Sequence, residues 1–128
     1  MSKYQDVINT FGQIGLKLYR SMQYSIVGLK SVWQTEQSFR LEIYLCLILI
    51  PVALVMPFYY LMKLILIQLA LLLLVAELIN TSIEAVVDRI SLEIHPQSKL
   101  AKDACCAAVG LVILMNFIAW VYAVFSLF

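Results

Sequence analysis

The sequence predicts an all-α integral membrane protein: three transmembrane helices preceded by an amphipathic helix lying in the membrane interface. Three observations carry this reading. Apolar residues make up 63% of the chain and mean hydropathy is +0.93, against about 45–50% apolar residues in soluble domains. Three mostly apolar segments, at about 41–56, 59–81 and 100–125, approach or exceed the ~20 residues that cross a bilayer. The basic residues are distributed unevenly between these segments. At 128 residues the chain reads as a single membrane-embedded domain.

Residues 1–33 interleave apolar side chains (Phe11, Ile14, Leu16, Leu18, Tyr19, Met22, Tyr24, Ile26, Val27) with Lys and Gln, which suits a helix in the interface with its basic side chains toward headgroups. Gly12, Gly15 and Gly28 loosen that pattern, and Trp33, Tyr59 and Tyr60 suit membrane interfaces. Glu36, Arg40 and Glu42 stand just before the first span, with Glu36 and Arg40 at i,i+4 spacing. The first membrane helix is expected over about 37–56. Its apolar part is short, so it needs its polar shoulder or a thinned bilayer. Pro51 is expected to kink it, and Pro57 to mark a tight turn. The second helix is expected over about 59–90. That is longer than a hydrocarbon core of about 30 Å requires, so its last turns emerge from the membrane. Pro96 is expected to stop helical continuation, and Ser98 to cap a third helix over about 99–126.

Lys3, Lys17, Arg20, Lys30 and Arg40 precede the first span, and Arg89, Lys99 and Lys102 lie between the second and third. Only Lys63 lies between the first and second, and nothing basic follows the third. The positive-inside rule places the N-terminus and the second loop in the cytoplasm, and the C-terminus outside.

The chemistry concentrates where the second helix leaves the membrane. Glu77, Asn80, Glu84 and Asp88 follow the apolar run 64–76, which only Gln68 interrupts. Spacings of three and four residues put all four within an arc of roughly 80° on one helical face. An ionisable group at membrane depth costs roughly 3 kcal/mol or more and usually faces a partner, a cavity or an ion. Oxygen donors of this kind suit Mg²⁺, and Lys99 and Lys102 lie close by in sequence. Phosphoryl transfer needs a metal, a cation for phosphate oxygens and a carboxylate to take the acceptor's proton. Residues 77–103 supply candidates for all three, with Glu36 as a possible extra ligand. An ion-coupled small transporter would use similar carboxylates, and a stripe pairing structurally with neighbouring helices is a third reading.

Other chemistries find less support. The net charge of +1 gives no bulk electrostatic case for nucleic-acid binding. Gly12-Gln-Ile-Gly15-Leu-Lys17 has the wrong spacing for a phosphate-binding loop. His95 is the only histidine, which disfavours a zinc hydrolase. Cys46, Cys105 and Cys106, an odd count in apolar surroundings, argue against a disulfide framework and read as packing residues. No secretory signal pattern is expected at the N-terminus.

The segment Ala76-Glu-Leu-Ile-Asn-Thr-Ser-Ile-Glu-Ala-Val-Val-Asp-Arg-Ile90 resembles the signature of the prokaryotic diacylglycerol kinase family. The resemblance continues through Glu93-Ile-His95, Ala101-Lys-Asp103 and Ala107-Ala-Val109, and upstream through Gly28-Leu-Lys-Ser-Val-Trp33 and Glu36 to Glu42. It implies a homotrimeric helical bundle in the bacterial inner membrane, with active sites shared between subunits. It implies phosphorylation of a lipid alcohol at the cytoplasmic face with MgATP. Diacylglycerol is the favoured substrate and undecaprenol the alternative. By position, Glu77 resembles the family's general base, Glu36 and Glu84 its metal-binding carboxylates, and Asn80 and Asp88 supporting polar residues. Lys17, Tyr24, Glu36, Glu84, Glu93, Ile94, His95, Lys102 and Asp103 match positions that bind ATP. Arg40, Glu77, Cys106 and Trp120 match positions tied to the lipid. Lys17 stands where some members carry Arg, which keeps the charge and loses the fork geometry. Cys106 stands where others carry Ser.

Overall fold

The computed structural model describes the backbone of residues 2–90 and 95–128 and the side chains of residues 12–90 and 95–128. It is helical throughout its described elements: α1 (Ser2–Thr35), α2 (Gln37–Val55), α3 (Tyr60–Ile90) and α4 (Pro96–Phe125). The chain divides into two units, α1 and the helices that follow Glu36.

Helix α1 continues through Gly12, Gly15 and Gly28 without a break. Among the described residues a Cβ at any of these glycines would meet nothing within 4 Å. Along this helix Ser25 and Thr35 return their hydroxyls to the carbonyls of Ser21 and Ser31, at 2.9 and 3.2 Å. Glu36 separates α1 from α2. It adopts an extended conformation at the N-cap of α2, and its side chain makes no capping hydrogen bond.

Helices α2, α3 and α4 are each long and apolar enough to cross a membrane. The second unit is built around α3, which packs against both α2 and α4. At about 1.5 Å per residue, the 31 residues of α3 extend about 46 Å, more than the ~30 Å of hydrocarbon in a bilayer. Helix α2 continues through Pro51, which has no N–H to offer the carbonyl four residues back. The turn into α3 is tight: the Met56 amide still bonds the Val52 carbonyl at 3.0 Å, and the Phe58 amide bonds the Met56 carbonyl at 2.8 Å. Lys63 reaches back across this turn to donate to the Leu54 carbonyl at 2.7 Å, satisfying an orphan acceptor in the last turn of α2.

The core sits at this end of the bundle. Ala53, Phe58, Leu66 and Ala123 form a buried cluster, with Met56, Met62, Ala119, Trp120 and Leu127 packed against it. Phe58 and Trp120 meet edge to face, 6.2 Å between centroids, the arrangement that aromatic quadrupoles favour. Small residues at Ala53 and Ala123 let helix backbones approach, as lipid-embedded interfaces require. Further along the bundle, the Asn116 amide donates to the Leu69 carbonyl across α3–α4 at 3.0 Å and to Val112 in its own helix at 2.9 Å. Cys46 donates its thiol to the Ala70 carbonyl across α2–α3, a packing role of the expected kind.

The start of α4 differs from the sequence expectation. No helix runs through Pro96, which is the first residue of α4, but the cap is His95 and not Ser98: the His95 Nδ1 accepts from the Gln97 amide at 3.2 Å. The physical reason is that proline at the first helical position loses nothing, since its missing N–H would be an orphan there and its φ is already helical. Ser98 therefore falls inside the helix.

Little of the apolar surface is covered within the chain: only 6% of the most apolar window of α4 is buried, 17% for α2 and 22% for α3. Surface of this kind requires acyl chains or other protein against it.

Candidate functional site

The polar stripe lies at the other end of α3 from the aromatic core, and its four members have different surroundings. Glu77 is 5% exposed, the one buried charged residue among the described side chains. Its Oε1 accepts a hydrogen bond from the Ser38 hydroxyl in the first turn of α2. Glu42, one turn further along α2, stands close enough to Glu77 for the two carboxylates to interact electrostatically. The second residue of the stripe, Asn80, donates its amide to Glu84 Oε1 at 3.2 Å. The last, Asp88, is exposed and receives the Lys102 ammonium from α4 at 2.5 Å. Burial against the protein thus declines along the stripe from Glu77 to Asp88.

Among the described residues, three buried side-chain atoms lack a hydrogen-bond partner: Glu42 Oε2, Asn80 Oδ1 and Trp120 Nε1. Unpaired buried polar atoms are costly and mark places where a ligand or partner group completes the structure. Glu42 and Trp120 both line a cavity of about 340 Å³ between the helices, whose other walls include Leu45, Leu49, Leu73, Ile113 and Phe117. It is an apolar chamber with a carboxylate and an indole N–H on its walls, suited to an amphiphile with a polar end. The orphaned Asn80 Oδ1 belongs to a residue lining a smaller apolar groove of about 170 Å³, with Ala76, Ile79, Cys105 and Ala108.

The structure brings together several of the expected site residues. Asn80 joins Glu84, and Asp88 joins Lys102. Trp120 shares a chamber with Glu42, the acidic wall beside Glu77. Ser38 and Glu42 enter the site without having been singled out among the candidates. Their sequence signal was weak: a serine is common, and only the i,i+4 spacing of the two on α2, opposite a buried carboxylate, distinguishes them. Arg40 is half-buried in α2 between them. Cys106 is exposed, whereas Cys105 faces the groove beside Asn80. Asp103 is exposed next to Lys102, and His95 caps α4. Lys17 and Tyr24 are exposed on α1, seven residues apart and so on one face of that helix. Glu93 and Ile94 lie outside the described residues.

Among the described residues no group of three His, Cys, Asp or Glu side chains converges. A hard cation held by one or two carboxylates would take its remaining ligands from phosphate oxygens and waters. The Glu84 carboxylate and the unpaired Asn80 carbonyl oxygen are hard donors of the right chemistry.

The model of the prokaryotic diacylglycerol kinase family matches residues 23–124. A protein of Pseudomonas aeruginosa named diacylglycerol kinase is 39% identical over 110 residues, covering 85% of this chain and 89% of its own. The diacylglycerol kinase of Escherichia coli K12 is 34% identical over 112 residues, 88% of this chain and 92% of its own. That of Helicobacter pylori is 40% identical over 98 residues, 75% and 77% of the two chains.

Proposed function

The chain belongs to the prokaryotic diacylglycerol kinase family, a membrane enzyme that phosphorylates lipid, and on that premise we propose that it converts diacylglycerol to phosphatidic acid with MgATP at the cytoplasmic face of the bacterial inner membrane. One observation carries the mechanism: a buried carboxylate, Glu77, held by a hydroxyl between two apolar helices. Further along the same helix lies the Asn80–Glu84 pair, with Asn80 about 5 Å and Glu84 about 10 Å beyond Glu77. The first group sits at the depth of a lipid hydroxyl, the second at the depth of a nucleotide arriving from the cytosol.

In this reading Glu77 is the general base. It takes the proton of the lipid alcohol as that oxygen attacks the γ-phosphorus. The new O–P bond forms while the bond to the β-bridging oxygen breaks, and ADP leaves. Glu84 and Glu36 hold Mg²⁺, which when bound neutralises phosphate charge, and the Asn80 carbonyl supports it. Lys102, with Asp103, engages ATP. Lys102 is paired with Asp88, so meeting a phosphate means exchanging one anionic partner for another, a near-balanced trade. Lys17, Tyr24, Glu93, Ile94 and His95 are the remaining nucleotide contacts. Arg40, Cys106 and Trp120 serve the lipid, Trp120 through the chamber it shares with Glu42.

The purified protein, given labelled ATP with diacylglycerol and undecaprenol side by side, is expected to label diacylglycerol. Labelled undecaprenol alone would reassign the substrate within the same chemistry. Ion-coupled flux in proteoliposomes with no ATP consumption would replace the kinase reading by transport.

The enzyme acts as a homotrimer in this proposal, with its N-terminus cytoplasmic and its C-terminus external. The uncovered apolar surface of α2 and α4 supports association, and closed symmetric assemblies are the usual form. Mixing an inactive Glu77 variant with an inactive Glu36 variant is expected to restore part of the activity, because sites shared between subunits leave some intact. No rescue in crosslinked mixed trimers, with this pair and others, would place each complete site within one subunit.

A further inference from the structure

Helix α2 presents two side chains to Glu77. Ser38 donates its hydroxyl to Oε1. Glu42, four residues on and therefore on the same face of α2, brings a second carboxylate into electrostatic reach. The two have opposite effects on where the Glu77 side chain rests. Like charges repel, so Glu42, when ionised, opposes a Glu77 carboxylate resting toward α2. A hydroxyl donor attracts it, and hydrogen bonds to an ionised group are stronger than neutral ones. Glutamate has three rotatable bonds, and its carboxylate samples several positions unless something fixes it. A base that must meet a hydroxyl within about 3 Å gains from being fixed before substrate arrives.

We propose that Ser38 is a positioning residue for this reaction: its hydroxyl, reaching across the α2–α3 contact, holds the Glu77 carboxylate in the rotamer from which it receives the proton of the acceptor alcohol. The inference rests on the reading of Glu77 as general base. A carboxylate has about four acceptor positions over its two oxygens, and Ser38 uses one of them. The others serve the incoming hydroxyl. Ser38 itself need not touch substrate. It belongs to the first turn of α2, directly after the extended Glu36, so the register of α2 and the orientation of the base are set together.

The test is steady-state kinetics on the full-length enzyme in lipid nanodiscs, with whichever of diacylglycerol and undecaprenol the wild type phosphorylates. Ser38→Ala is expected to lower kcat about 10- to 100-fold, the worth of one hydrogen bond to a charged group. KM for lipid and for MgATP should stay within about twofold; leaving a buried carboxylate without its donor lowers thermal stability modestly, so kcat is taken per folded enzyme. Ser38→Thr, which keeps the hydroxyl, should recover most of the loss. In a Glu77→Asp background the carboxylate is drawn back from α2, and Ser38→Ala should then cost little more. An unchanged kcat in Ser38→Ala, a threonine variant as poor as the alanine one, a loss that tracks the unfolded fraction, or equal costs in both backgrounds would each overturn the proposal. Near-normal turnover in Glu77→Gln would remove the base itself, and the inference with it. An inactive Glu77→Gln beside a fully active Ser38→Ala would remove the inference alone.

Discussion

Glu77→Gln is expected to lower turnover by about 10²- to 10⁴-fold, the range that a positioned general base contributes, while leaving MgATP binding intact. The amide is nearly isosteric with the carboxylate, so packing around a residue only 5% exposed is preserved. It still accepts the Ser38 hydrogen bond through its carbonyl oxygen, so the α2–α3 contact survives. It also relieves the repulsion with Glu42. What it removes is the capacity to take a proton. The variant therefore separates stability from chemistry: it should be as stable as wild type or more so, and nearly inert. Its KM for MgATP should be close to normal, because the proposed role of Glu77 is at the acceptor oxygen and not in holding the nucleotide. Label transfer from ATP to lipid, measured beside equilibrium nucleotide binding, checks both halves. Turnover within a few-fold of wild type would take Glu77 out of the mechanism.

The stripe on α3 was legible in the sequence because helical periodicity is a local property: positions 77, 80, 84 and 88 must share a face whatever surrounds them. The partners of that face were not legible. Which residue of α2 meets Glu77 depends on how far α2 slides along α3, and two helices uniform in leucine, isoleucine and valine carry few marks of their relative register. The marks that exist are polar or small: Ser38 against Glu77, Cys46 against the Ala70 carbonyl, Asn116 against the Leu69 carbonyl. Each reads in sequence as an ordinary residue and acquires meaning from its neighbour. The same holds at the start of α4, where Pro96 reads as a breaker until its place relative to His95 is seen to be the first helical position. The candidate nucleotide contacts on α1 rest on family resemblance alone, since no periodicity connects Lys17 or Tyr24 with a stripe on another helix.

Glu84→Ala is expected to weaken Mg²⁺-dependent ATP binding by about 100-fold or more, since even outer partners of metal ligands are worth roughly 10- to 100-fold in metal affinity. The argument begins with the sparseness of the site. Among the described residues Glu84 belongs to no cluster of three His, Cys, Asp or Glu side chains, and no glycine-rich loop is present to cradle phosphates with backbone amides. Much of the triphosphate charge must then be met by Mg²⁺ and by cations such as Lys102, and each ligand to the metal matters more than in a crowded site. Losing Glu84 also frees the Asn80 amide that donates to it, so the orientation of the Asn80 carbonyl goes with it. Asn80→Leu should accordingly show a weaker version of the same defect, with ATP affinity reduced at low Mg²⁺ and partly recovered as Mg²⁺ is raised. Neither variant should alter nucleotide binding measured in chelator, where no metal bridge exists to lose. Titration of a fluorescent ATP analogue across a range of Mg²⁺ concentrations distinguishes the cases. Glu84→Ala binding MgATP as tightly as wild type would show that the metal is held elsewhere.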